Sequence, residues 1–391
     1  VKRKVLIVVH QLNHGGVQKA LLTVLNALDY CKNEVTLYVR KDRTEFLADV
    51  NSQVHKIIVN QDKTHYYRKP HAVFCLMKMK LWSILGAKGK EEGVREKLTQ
   101  YVLKCQMSYE KKMYFADSEE YDVVVSYIQG YNAQFVAKYI RAKRKVMFFH
   151  GSTDETHELH EQIMPQFDAI VAVNSAVQKV LSELYPRFAD KITAIDNYIE
   201  ASEIREKAKK ELVEENEADL VLCSCGRFTD VKGFNLAVDA AHHLKGSKVP
   251  FAWYFIGDGP NRTALESQIR KYGLEANIIL TGMQDNPYPW MDKCDIYVQP
   301  SYEESHSLTI VEAHVLNKPV VTTDTIGGTY LIQDNVTGKI AGMTGESVAE
   351  NIVYLYQNPE IYENIVNHLR EIDYSKAKEE YQKRWETLLE G

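Results

Sequence analysis

The chain has 391 residues, of which 45% are hydrophobic and 26% charged, with a formal net charge of −5. That length exceeds what one hydrophobic core usually serves, so two domains are expected, and the composition is that of a soluble globular protein. A net negative chain argues against a generic nucleic-acid binder, and no nucleic-acid partner is expected.

The N-terminus reads Lys2-Arg3-Lys4 followed by only a short apolar run, too short for a signal or a membrane span. Val5 to Val9 is continuously apolar, the pattern of a parallel strand buried on both faces. After it comes His10-Gln-Leu-Asn-His14-Gly15-Gly16, then a helical stretch with apolar positions at Val17, Ala20, Leu21, Val24, Leu25 and Leu28. Strand, Gly-rich turn and helix open a Rossmann-like unit, although the dinucleotide fingerprint G-x-G-x-x-G is absent. Gly15 and Gly16 permit close backbone approach to a ligand, and they serve equally in a tight turn that binds nothing.

Further strand patterns fall at 34–39, 54–59, 123–126, 146–149 and 169–173, with helical segments between them. Such alternation predicts a parallel sheet covered by helices on both faces. Residues 62–116 interrupt it with twelve Lys and Arg against five Asp and Glu, a local charge of about +7, mixed with Tyr66, Tyr67, Phe74 and Trp82. Two readings stay open here: helices resting on an anionic membrane surface, or helices packed on the domain with a solvated basic face.

His150 ends the next strand, in Phe148-Phe149-His150-Gly151. Ligands of open α/β sheets bind outside the carboxyl ends of strands, whereas a lone His is more often structural. Asp154, Glu155, His157 and His160 follow without an evident third metal ligand and are expected at the surface. The pattern turns polar and charged from about 196 to 218, which marks the connection between domains.

A second strand series begins there, at 220–225, 251–256, 278–280, 296–298 and 320–322. Its first turn carries Gly226-Arg227-Phe228-Thr229-Asp230-Val231-Lys232-Gly233, where Arg227 and Lys232 can both reach a diphosphate. Strand-end turns recur at 257–260 and at 282–287, the latter holding Met283. The six cysteines (Cys31, Cys75, Cys105, Cys223, Cys225, Cys294) lack zinc or thioredoxin spacing and are expected to be buried, reduced thiols of a cytoplasmic protein.

The most informative stretch runs from Pro300 to Ala313. Glu304 and Glu312 are eight positions apart, so in one helix they would be rotated by roughly 80° and separated by about 12 Å, too far for a carboxylate pair. The natural reading places Glu304 in a loop and Glu312 inside the following helix. The first-turn amides near Ser307, Leu308 and Thr309 then form an anion cradle between them. Two surface glutamates are the plain alternative.

This stretch closely resembles the E-x7-E signature of retaining glycosyltransferases of the GT-B fold, family 4. Gly226-Arg227 with Lys232-Gly233 matches the family's diphosphate loop, and Gly16 and His150-Gly151 match its first-domain positions. The resemblance implies an α/β GT-B fold, two Rossmann-like domains facing a cleft. Residues 1–200 would be the acceptor-side domain, with the basic insertion at about 62–116. Residues 201–372 would be the donor domain, and 373–391 a helix returning to the first domain. It implies catalytic roles for Glu304, His150, Arg227 and Lys232. Donor contacts would come from Gly15, Gly16, Arg227, Lys232, Met283, Ser307, Leu308, Thr309 and Glu312, the last on the ribose. No metal and no cofactor are expected, the nucleotide-sugar donor (UDP being the commonest base) acting as substrate. The acceptor would be a saccharide or lipid-linked saccharide, in bacterial surface polysaccharide or glycolipid assembly, in the cytoplasm or at the inner face of the cell membrane. Ser305-His306 replaces the family's usual Gly-Phe, with a second acid at Glu303. A GT-B nucleotide-sugar epimerase and a non-catalytic nucleotide-binding scaffold share the same frame.

Overall fold

A computed structural model of the chain describes residues 1–13, 15–61, 77, 90–116, 120–151, 156–210, 218–247 and 249–391. Most of the basic insertion lies outside the described residues, as do Cys75, Asp154 and Glu155.

Among the described residues the strands form two wholly parallel sheets. In the first, β1 (Arg3–Val9), β2 (Asn33–Val39), β3 (Lys56–Val59), β4 (Tyr121–Ser126), β5 (Ala142–Phe149), β6 (Ala169–Ala172) and β7 (Ile192–Ala194) run in the order β3-β2-β1-β4-β5-β6-β7. In the second, β8 (Leu220–Cys225), β9 (Phe251–Ile256), β10 (Ile278–Gly282), β11 (Ile296–Gln299), β12 (Val320–Thr323) and β13 (Gly338–Ala341) run β10-β9-β8-β11-β12-β13. Each order reverses once, between β1 and β4 and between β8 and β11. A crevice opens at such a switch point, outside the carboxyl ends of the strands.

The period-2 pleat divides each strand between two cores. Val5, Ile7 and Val9 of β1 pack with Leu21, Val24 and Leu25, while Leu6 and Val8 face Phe135, Val136, Met147 and Phe149 on the other side. Helices cover both faces because every residue from Val5 to Val9 is essentially inaccessible, and an uncovered face would leave apolar area in water. The second sheet repeats the plan. Leu222, Trp253, Phe255 and Val298 pack under the helices Phe234–Gly246 and Gly345–Gln357, and Cys223, Tyr254, Ile256 and Tyr297 under Tyr288–Lys293 and Leu308–Val315.

The last helix, Ala377–Glu390, follows the second sheet in sequence but buries Tyr381, Trp385, Leu388 and Leu389 in the core of the first. Its polar face adds Asn33 Nδ2 donating to Glu386 at 2.8 Å and Arg144 Nε donating to the Leu388 carbonyl at 3.0 Å. Two edge strands, β7 (Ile-Thr-Ala) and β13 (Gly-Lys-Ile-Ala), escape the sequence reading because neither carries the continuous apolar run that marks the equally short inner strands. Among the described residues no helix is long and apolar enough to cross a membrane.

The cysteine expectation needs correcting. Cys223 and Cys294 are buried, but Cys31 is exposed and Cys105 and Cys225 are half-buried. His160 was expected at the surface and is instead fully buried, its Nε2 accepting from the Gly130 amide at 2.8 Å. An apolar neighbourhood and one backbone donor hold it, while His157 stacks on Tyr185 with ring centroids 4.7 Å apart.

Candidate active site

Strand β11 sets the site. All four of its residues are buried, and its last, Gln299, anchors the loop beyond it. Gln299 Nε2 donates to the Ser301 hydroxyl at 2.8 Å, and Ser301 donates in turn to Glu304 Oε2 at 3.3 Å. On its other side, Gln299 Oε1 accepts from Thr309 at 2.8 Å and from the Tyr297 hydroxyl at 3.0 Å. The loop backbone is fixed as well, with Gly327 N on the Glu304 carbonyl at 2.7 Å and Tyr302 N on the Val231 carbonyl at 2.9 Å. Glu304 therefore sits in a braced loop, and Glu312 lies within the helix Leu308–Val315. Ser307 precedes that helix in extended backbone and makes no side-chain cap, so the first-turn amides keep their capacity to bind an anion.

The 226–233 loop lies beside it. Gly226 N bonds the Ile256 carbonyl at 2.9 Å, and Phe228 N the Asp258 carbonyl at 2.9 Å. Gly233 has φ +64, and a Cβ there would come within 1.8 Å of the Pro300 carbonyl oxygen. Glycine is thus what lets the two loops touch, and Lys232 Nζ reaches Glu304 Oε2 at 2.8 Å. Arg227 is exposed, its guanidinium next to Gly15: an NH2 nitrogen lies 3.4 Å from where a Gly15 Cβ would be.

The first domain supplies the opposite wall. His150 follows β5 and its amide donates to Gln129 Oε1 at 3.1 Å, while its ring packs 4.9 Å from Tyr127. Burial lowers the His150 pKa to about 4, against the backbone hydrogen bond to Tyr127 and helped by nearby His306, so the ring is neutral at pH 7. Asn174 caps the helix Ser175–Leu184 through Val177 N at 2.8 Å and crosses the divide to donate to the Ser305 carbonyl at 2.6 Å.

Gly15, Gly16 and His150 thus face Arg227, Lys232 and Glu304 across a cleft of about 1010 Å³. Met283, Ser307, Leu308 and Thr309 line the same space. Glu312 is placed differently. Only 1% exposed, its carboxylate lies behind the wall and contacts Lys19 of the first domain, with the Tyr288 hydroxyl at 3.4 Å. Sequence reasoning missed Gln299, which lines the cleft, and Lys19 and Asn174, which brace its walls from across the divide. Lys19 carried a signal, as the one cation on the helix beginning at the Gly pair.

Residues 204–371 match the family model of the glycosyl transferases group 1. That segment belongs to the family. Among its relatives, the chain is 26% identical over 249 residues to Protein CapJ of Staphylococcus aureus, covering 60% of this chain and 61% of CapJ. It is 26% identical over 171 residues to the lipopolysaccharide core biosynthesis glycosyltransferase LpsE of Rhizobium meliloti, covering 44% and 48%. The matches therefore span about half to three fifths of these relatives' lengths. The structure of Anabaena Alr3699/HepE in complex with UDP-glucose aligns over 98% of this chain and 99% of that one, with TM-score 0.68 and 16% identity. The chain has the GT-B fold.

Proposed function

We propose that the chain is a retaining glycosyltransferase that moves a sugar from a nucleotide-diphosphate sugar, a UDP-sugar first, to an acceptor hydroxyl. One observation carries the reading. Two cations, a carboxylate and an uncapped helix N-terminus converge on one wall of the cleft, and a neutral His faces them from the other domain.

In this reading the bond between the anomeric carbon and the diphosphate oxygen breaks, and negative charge grows on the leaving diphosphate. Arg227, Lys232 and the amides of Leu308 and Thr309 stabilise that charge, positive groups that already line the cleft wall before the reaction begins. The acceptor oxygen bonds to the anomeric carbon on the face the diphosphate leaves, and its proton passes to the leaving phosphate oxygen. Glu304 orients the donor sugar and balances oxocarbenium-like charge. His150, held neutral, offers its ring to the sugar without adding a cation. Met283, 52% exposed at the cleft, borders the nucleobase, and Glu312 serves the ribose. The cleft cations take the part a metal ion plays elsewhere, so transfer should persist in EDTA.

The acceptor proposed is a saccharide or lipid-linked saccharide of bacterial surface polymer assembly. The relative LpsE is named for lipopolysaccharide core biosynthesis. The described part of the insertion adds support. In the helix Lys90–Tyr114, Glu110 turns inward to Arg40 (2.8 Å), leaving Lys104, Lys111, Lys112, Tyr101 and Met113 exposed. A basic face with apolar members suits an anionic bilayer at the cytoplasmic leaflet.

A thermal-shift panel of UDP, GDP, ADP and their sugar conjugates tests the donor reading, since a ligand that binds only the folded state raises its apparent stability. Stabilisation by one nucleotide series, followed by transfer to a saccharide acceptor, is the expected result. Conversion of the donor sugar without an acceptor would instead mark an epimerase, and no shift at millimolar nucleotide would leave a scaffold.

A further inference from the structure

The helix Gly16–Ala27 begins at the Gly pair that lines the cleft, and one turn later it sends a side chain into the second domain. Lys19 Nζ donates to the Tyr288 hydroxyl at 2.7 Å and to Glu312 Oε1, and lies 5.0 Å above the Tyr288 ring. Its neighbour Ala20 is buried in the second domain's core with Tyr288, Leu308 and Ala313. This end of the helix is therefore seated against the donor-domain wall.

Chemistry gives the contact a purpose. Glu312 is 1% exposed, and a buried carboxylate is costly unless a charge or several hydrogen bonds answer it. Tyr288 supplies one hydroxyl, 3.4 Å away, and Lys19 supplies the charge. Burial works against the Lys19 ammonium, but the Glu312 charge and the Tyr288 oxygen outweigh it and hold its pKa well above the ordinary lysine value. Both contacts fall on Oε1, and among the described residues Oε2 makes no hydrogen bond. A carboxylate fixed through one oxygen leaves the other to accept from a hydroxyl donor such as a ribose.

Building on the donor reading above, we infer that Lys19 is a positioning residue for the nucleoside. From the acceptor-side domain it anchors Oε1 of Glu312, so that Oε2 accepts from the ribose and the ribose site is complete only when the two domains meet. Nucleotide binding and domain closure then share one ion pair, and a donor that seats its ribose favours the closed form.

Calorimetric titration of UDP, GDP and ADP into the full chain tests this, with Lys19→Met, Lys19→Arg, Glu312→Gln and the Lys19→Met/Glu312→Gln double variant. For the nucleotide that wild type binds, Lys19→Met should weaken affinity about tenfold and Lys19→Arg about threefold or less, since the guanidinium keeps the charge. The double variant should bind no more weakly than Glu312→Gln alone, because Lys19 acts only through that carboxylate. Lys19→Gln, which keeps a donor, is read in parallel and should lose about fivefold if charge is what matters, so a misfolded Met variant does not decide the outcome. Affinity equal to or tighter than wild type in Lys19→Met and Lys19→Gln would show that Lys19 obstructs the ribose or ignores it, and would overturn the inference. Losses that add in the double variant would overturn it too. Wild type that binds none of the three nucleotides removes the donor reading itself, a result distinct from a variant that binds as wild type does.

Discussion

Lys232 Nζ lies 2.8 Å from Glu304 Oε2, so the cation expected on the donor diphosphate is held by the carboxylate expected at the donor sugar. Glu304 is mostly buried (9% exposed) and Lys232 about one-third exposed, a partly screened pair whose strength is on the order of 1 kcal/mol. A diphosphate, with more charge and more oxygens, outbids one carboxylate for Lys232. On the proposed donor reading, donor binding should then release Glu304 toward the sugar. Glu304→Gln should lower turnover by at least about 100-fold, as the loss of a preorganised electrostatic group does. The same variant should bind UDP as tightly as wild type or up to about fivefold more tightly, because Lys232 no longer leaves an ion pair. Lys232→Met should weaken UDP binding by about tenfold or more, the worth of a charge-assisted bond. Calorimetry and a donor-consumption assay separate these outcomes, and weaker UDP binding in Glu304→Gln would contradict the competition.

Gly233 joins the two loops that make that pair. Its φ of +64 is left-handed, and a Cβ would lie 1.8 Å from the Pro300 carbonyl oxygen and 2.8 Å from its carbon. Backbone cannot retreat as a flexible side chain could. Gly233→Ala should cost about 2–4 kcal/mol from strain and overpacking together, and should push Lys232 away from Glu304. A fall in melting temperature of roughly 5–10 °C with weakened UDP binding is expected. An unchanged melting temperature would refute the close-approach argument.

Much of this architecture was legible in the chain. The apolar run at β1 and the strand–helix alternation predicted parallel, doubly covered sheets, because a strand buried on both faces has no polar side to show. Glu304, Arg227 and Lys232 could be placed at the cleft because loops at strand ends carry their chemistry locally. Lys19 and Asn174 could not, since each acts on a partner more than 100 residues away, and only the meeting of two domains defines that contact. Glu312 shows the same limit: its place in a helix was readable, its burial behind the wall was not. His160 misled because two His among acids look solvated, whereas burial depends on what covers the helix.

His314 sits in the same helix as Glu312, 6% exposed, and burial lowers its pKa to about 4 despite a backbone hydrogen bond at Thr337, with His368 adding to the fall. The unfolded chain takes up a proton at this position near the ordinary value of 6.5, while the folded chain stays neutral until about pH 4. Stability from this group is therefore fully present above pH 6.5 and is lost as pH falls from 6.5 towards 4. Between pH 7 and 5 the loss should be about 2 kcal/mol. His314→Gln removes the titration, so its melting temperature should fall less than wild type's over that interval, by about 4–8 °C. Parallel slopes for the two proteins would show that His314 does not titrate differently on folding.

The returning helix gives the last prediction, which joins stability to the site. Trp385 is 1% exposed and stacks on Phe148 with centroids 5.0 Å apart and planes 10° from parallel. Phe148 is two residues before His150, and Tyr127, which also packs against Trp385, contacts the His150 ring at 4.9 Å. The indole thus supports the wall from which His150 faces the cleft. Trp385→Ala leaves a large void and should cost about 3–5 kcal/mol. Relaxation of Phe148 and Tyr127 into that void moves His150, and a shift on the order of 1 Å is enough to slow transfer by about tenfold or more. Trp385→Phe keeps the aromatic stack and should lose about 1–2 kcal/mol with turnover close to wild type. Chemical denaturation and a kcat measurement on both variants decide it. Trp385→Ala with wild-type turnover below its melting point would mean that the C-terminal helix stabilises the first domain without positioning His150.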